Sequence, residues 1–180
     1  VNRPNDQITL NGLPKSLWNK VTLVVQHWER KKYKFDVDYL VLPKEVNLSD
    51  YYCLPKSRKI IYEEGRNLKY CVIDDDLVFK KRNQRRFGLP SDMEKSSKVC
   101  DDNDILEMFD TFTKWLDEKD VTMCGPSQIQ NIPSTTLFRS NTSICGCFFI
   151  NGKDFNHILD DLPLTDIRYG EDVLFNLSLL

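Results

Sequence analysis

The stretch KYCVIDDDLVF, residues 69–79, runs from an apolar segment straight into three consecutive carboxylates, Asp74, Asp75 and Asp76. Tyr70 to Ile73 is apolar on both faces, as strands of buried parallel sheets are, and the pattern predicts a strand over 70–75. Burying even one unpaired carboxylate costs several kcal/mol after relaxation. Three aspartates therefore do not belong inside a core. At the carboxyl end of a strand in an open α/β sheet they emerge where such sheets bind ligands.

The flanking segments predict the rest of that sheet. VTLVVQHW (21–28) is a β-branched strand, preceded by LPKSLWNK, which has the spacing of one or two helical turns. DYLVLP (38–43) is a second strand, stopped by Pro43. A helix follows from Lys56 to Glu64, with Pro55 near its start and Gly65 just past its end. Strand, strand, helix, strand is the order of an α/β sheet with crossover helices. Further on, Ile105, Met108, Phe109, Phe112 and Leu116 recur at helical spacing. Asp101, Asp102, Asn103 and Asp104 open that helix, where acids cap free amides and suit the dipole. GPSQIQNIPST (125–135) is a loop, SICGCFFIN (143–151) a strand, and Asn151-Gly152 a turn. YGEDVLFNLSLL (169–180) continues from Gly170 as a helix with Val173, Leu174, Leu177 and Leu180 on one face.

Composition narrows the function classes. The 180 residues are 41% hydrophobic and 29% charged, the balance of a soluble globular domain. No apolar run is long enough to span a bilayer. The absence of a charged-then-apolar leader sets the expectation of a cytoplasmic protein. The opening on Val1 and the close on NLSLL, in mid-pattern, suggest a fragment. None of the six cysteines forms a CxxC pair, and only two histidines exist to complete a zinc site, so reduced thiols are expected. The net charge of −2 does not mark a nucleic-acid binder, but KKRNQRRF clusters Lys80, Lys81, Arg82, Arg85 and Arg86 directly after the aspartates. Such a run is either a solvated loop or a phosphate-contacting patch.

Oxygen-only ligands at a strand end suit a hard cation, Mg²⁺ or Mn²⁺, held by one or two carboxylates and completed by water and substrate phosphates. In an extended segment Asp74 and Asp76 lie on one face. The alternative is a solvated acidic turn.

CVIDDDLVF resembles the DxD-containing strand end of GT-A-fold glycosyltransferases, and RYGEDVLFNLSLL their later xED segment. NRPNDQITLNGLP, YLVLPKEV and LPKSRKIIYEEGRNLKYCVIDDDL extend the likeness to the TET/JBP-associated glycosyltransferases of bacteriophages, which sugar hydroxymethylated pyrimidines in DNA. The resemblance implies a Rossmann-type mixed, mostly parallel sheet flanked by helices. It implies one catalytic domain over 1–180, with a donor-nucleotide half over 1–79 and an acceptor half over 80–180. A first strand should precede Arg3, and a C-terminal part should follow residue 180.

The implied roles are specific. Asp74 and Asp76 bind the metal and, with Asp75, Arg3 and Arg58, a nucleotide-sugar donor, in the first place a UDP-sugar. Asp172 is the general base and Glu171 positions the acceptor. Lys81, Arg82, Arg85 and Arg86 contact the DNA acceptor, and the location is the host cytoplasm. Two other readings stand beside it: transfer to a protein or glycan hydroxyl, and a degenerate binding domain without activity. A phosphotransferase is disfavoured because the sequence has no Gly-rich phosphate loop.

Overall fold

The computed structural model describes residues 7–46, 53–82, 97–118, 121–127 and 144–161. A short helix α1 (Ile8–Gly12) and a 3₁₀ stretch (Lys15–Lys20) lead into β1 (Thr22–Gln26). A second 3₁₀ turn (Arg30–Lys32) precedes β2 (Asp38–Leu42). β1 and β2 pair in parallel, from Thr22 opposite Asp38 to Gln26 opposite Leu42. Helix α2 (Cys53–Glu64) then crosses to β3 (Lys69–Ile73). Pro55 lies in the first turn of α2, where its missing N–H removes no helical bond.

β4 (Lys80–Arg82) and β5 (Ser97–Val99) form an antiparallel pair, followed by α3 (Asp102–Glu118). The predicted acidic cap of α3 is present. The Asp104 amide donates to Asp101 Oδ1 at 3.0 Å while the Asp101 amide donates to Asp104 Oδ2 at 3.3 Å, a reciprocal box. β6 (Met123–Cys124), β7 (Cys147–Asn151) and α4 (Gly152–Asp161) complete the described elements. β7 lies between β3 and β6 and is antiparallel to both.

The molecule is thus a mixed α/β fold, but its strands form small separate sheets. Among the described residues one pairing is parallel and three are antiparallel, not the single mostly parallel sheet expected. The physical reason is that burial on both faces does not report strand direction. β7 is buried throughout Cys147–Ile150 because helices cover both sides of its sheet. Phe148 and Ile150 pack with Tyr62 of α2, Val72 and Phe155 of α4. Phe149 and Cys147 face the other way, towards Leu116, Phe109 and Phe112 of α3. Full burial of each phenylalanine is worth roughly 1.5–3 kcal/mol.

The Asn151-Gly152 turn is also corrected: Asn151 ends β7 and Gly152 starts α4. Glycine is needed there for close approach. The Gly152 amide donates to the Leu68 carbonyl at 2.8 Å, and a Cβ at Gly152 would stand 2.1 Å from the Gly65 carbonyl oxygen. No described helix is long and apolar enough to cross a membrane.

Candidate functional site at the carboxyl end of β3

β3 ends at Ile73, and the three aspartates follow it. The Asp74 amide donates to the Gly146 carbonyl at 2.8 Å, continuing the contact with the strand that becomes β7. Gly146 has φ +76°, the left-handed region that favours glycine, so Cys145-Gly146-Cys147 is a backbone device beside the aspartates. Asp75 and Asp76 form a turn. The extended geometry that placed Asp74 and Asp76 on one face therefore does not hold.

The turn is held from a distant segment. Thr9 Oγ1 donates to the Asp74 carbonyl at 2.6 Å and accepts from the Leu77 amide at 2.8 Å. The Thr9 amide donates to the Asp75 carbonyl at 3.1 Å. One buried threonine in α1 thus pins residues 74–77. Sequence reasoning did not single out Thr9. Its only signal is its place in the QITLNGLP segment, because its partners are 65 or more positions away.

Arg58, on α2, reaches the same place. Its Nη2 lies 2.5 Å from Asp74 Oδ1, with side-chain exposures of 12% and 40%. With one partner this exposed, the pair adds at most about 1 kcal/mol to stability. Its value is positional, since it fixes the carboxylate. Arg58, Asp74 and Asp75 line one cavity of about 1470 Å³ together with Gln7, Thr9, Gln26 and Glu29. Gln7, Gln26 and Glu29 are buried, and Asp76 is exposed.

The other expected site residues fall elsewhere. Arg3, Arg85, Arg86, Glu171 and Asp172 lie outside the described residues. Arg82 ends β4. Lys81 is engaged within the chain: its Nζ lies 2.8 Å from Asp104 Oδ1 and 3.0 Å from Glu107 Oε2. Lys98 also reaches Asp104, at 3.0 Å. These hydrogen bonds from Lys81 and then Lys98 hold the Asp104 carboxyl down at about 2, and the Lys81 ammonium is raised in return. Phosphate contact by Lys81 has to compete with both acids.

Cys71 and Cys124 are held as neutral thiols. Burial pushes Cys124 up to about 12 and raises Cys71 well above its usual range, where a hydrogen bond with Cys147 at 3.7 Å adds to the effect. Among the described residues no three His, Cys, Asp or Glu side chains converge to hold a metal. Comparison with protein-family models, with curated proteins and with solved structures finds no match.

Proposed function

We propose that the carboxyl end of β3 is the donor site of a metal-dependent glycosyltransferase that moves a sugar from a nucleotide-sugar to a hydroxyl. The observation that carries this reading is the placement of Asp74, fixed by Arg58 and Thr9, on the wall of a large cavity beside Asp75. Aspartate oxygens are hard donors, and Mg²⁺ or Mn²⁺ takes one or two carboxylates and fills its shell with water and phosphate oxygens. That donor chemistry fits Asp74 and its neighbours on the turn, Asp75 and Asp76, without a cage of three protein ligands. When bound, the cation neutralises charge on the donor diphosphate. Arg58 supplies a fixed positive charge on the same wall and orients Asp74.

The remaining roles rest on the resemblance alone. Asp172 takes the proton from the acceptor hydroxyl, Glu171 positions the acceptor, and Arg3 contacts the donor. The mixed, mostly parallel sheet of the GT-A type belongs to this reading, and the parallel β1–β2 pair with its α2 crossover to β3 is compatible with it. A UDP-sugar donor and a hydroxymethylpyrimidine in DNA are the first choice of substrates. A protein or glycan hydroxyl is the second, and the engagement of Lys81 by Asp104 and Glu107 favours it.

The test is calorimetry of UDP binding with Mn²⁺ and with chelator, alongside a panel of UDP-sugars offered to hydroxymethylcytosine DNA and analysed by nucleoside mass. Metal-dependent UDP binding is expected, with a hexose mass added to the modified nucleoside. UDP affinity that is the same in chelator would sink the donor-site reading. Transfer confined to a protein or glycan acceptor would select the second substrate class.

A further inference from the structure

The crossover between β1 and β2, with the turn that precedes β1, carries charge of one sign. Residues 15–35 hold Lys15, Lys20, Arg30, Lys31, Lys32 and Lys34 against a single acid, Glu29, in a chain whose net charge is −2. Glu29 is buried and does not offset them at the surface. Lys15, Lys31 and Lys34 are exposed. None of these three forms an ion pair with an acid among the described residues, whereas Lys81, Lys98 and Lys114 all do.

An aromatic ladder places these cations. Lys15 Nζ stands 3.0 Å over the centre of the Trp18 ring. Trp18 meets Phe35 edge-on, with ring centroids 5.9 Å apart. The Tyr39 hydroxyl donates to the Phe35 carbonyl at 3.0 Å and accepts from the Phe35 amide at 3.1 Å. Arg30 lies 3.5 Å over the Tyr39 ring. The ladder ties the 3₁₀ stretch at Lys15–Lys20 to the 3₁₀ turn at Arg30–Lys32, with a cation held on a ring at each end. Trp28, two residues before Arg30, is 38% exposed. None of Lys15, Trp18, Trp28, Arg30, Lys31 and Lys34 lines the cavity assigned to the donor.

We propose that this crossover is a docking face for single-stranded nucleic acid, with Lys15, Arg30, Lys31 and Lys34 on its phosphates and Trp28 under a base. Cations at the two ends of a ladder suit a row of phosphates, whereas a lone small anion needs cations around one point. An exposed ring gives an unpaired base a surface on which to stack, and a duplex hides its base faces. Two short turns also offer neither a helix nor a β-ribbon to enter a major groove. A membrane surface fits less well. Binding there buries an apolar face, and Trp28 is the one exposed large hydrophobic side chain between residues 27 and 38. The inference stands apart from the donor-site reading, because it uses neither Asp74 nor a metal.

The experiment is fluorescence anisotropy of a labelled oligothymidylate with the 180-residue chain, in chelator and without nucleotide, titrated with NaCl. The double variant Lys31→Ala/Lys34→Ala should lower the log–log salt slope by about 1.4 units, at about 0.7 per phosphate contact on a single strand. Trp28→Ala should weaken binding about tenfold with the slope unchanged, and Trp28→Phe should retain most of the affinity. Lys114→Ala, whose partner is Asp110, should change neither quantity. Thermal midpoints of the variants keep folding separate from binding. An oligothymidylate left unbound at low salt overturns the proposal, as does an unchanged slope in the double variant or unchanged affinity in Trp28→Ala. Equal or tighter binding of a duplex of the same length also overturns it. Binding confined to phosphatidylserine vesicles overturns it and assigns the face to a membrane. UDP binding is not a readout here, so this proposal and the donor-site reading fail separately.

Discussion

The carboxyl end of β3 and the start of α3 are both clusters of opposite charges, and they differ in where those charges lead. At β3, Arg58 comes from α2 to meet Asp74, and the pair stands on the wall of a cavity with Asp75 beside it. At α3, Lys81 and Lys98 come from a small hairpin to share Asp104, with Glu107 and Asp101 as outer partners. The first cluster faces the cavity. The second spends its charge on its own neighbours at the surface. The lesson is that a run of charge in a sequence acquires meaning from the partners that the fold brings to it.

The sharpest way to break this contrast is at Asp74. Asp74→Asn should remove metal-dependent UDP binding and lower turnover on the order of 10²–10³-fold, the scale for loss of one preorganised electrostatic contact. Turnover within a factor of two of the parent would remove the distinction between the clusters. The measurement is turnover per folded molecule together with UDP calorimetry.

Thr9 tests whether the aspartate turn is held by the fold rather than by its own sequence. Thr9→Val keeps the shape but leaves the Asp74 carbonyl and the Leu77 amide short of a partner. Stability should fall by about 1–3 kcal/mol in chemical denaturation, the cost of buried groups left unsatisfied. Thr9→Ser should retain most of it.

The α3 cluster has a pH signature. The Asp104 carboxyl lies at about 2 instead of 3.8. A depressed carboxyl contributes stability that is complete above its unfolded value and lost as pH falls through its folded value. The thermal midpoint of the parent should therefore fall between pH 4 and pH 2 more steeply than that of Asp104→Asn.

The smallest effect is expected at Lys81. Lys81→Met should leave the salt dependence of DNA binding unchanged, because its charge is already matched by Asp104 and Glu107. Arg85→Ala and Arg86→Ala should each lower the log–log slope by about one unit if DNA is the acceptor. A full unit lost at Lys81 instead would place the hairpin in a phosphate interface.

Much of the local structure was legible from the residues. The β-branched run at Thr22–Gln26, the apolar face of α3 and its acidic cap carry their signals within a few positions. The assembly was not legible in the same way. Whether Val72 lies beside a parallel or an antiparallel neighbour depends on β7, which reads as equally buried in either case. Gly152 looks the same in sequence whether it bends a turn or lets α4 approach the Gly65 carbonyl. Lys81 reads as a free cation because its acids follow 23 and 26 positions later. In the candidate site Asp74 was marked by residue type and Arg58 by the resemblance alone, whereas Thr9 carries no chemistry of its own and is significant only through its contacts.

The threonine clamp also bears on the order of folding. Thr9 and the turn it holds are separated by 65 to 68 positions, so their hydrogen bonds form only after a long loop has closed. Loop closure of that length carries an entropy cost that local contacts do not, and contacts of high sequence separation slow folding. The hairpin and α3 can gain shape from neighbours close in the chain, but the aspartate turn has to wait for the two ends of the described N-terminal half to meet. A nascent chain therefore displays its acidic residues before Thr9 can shape the turn that follows β3.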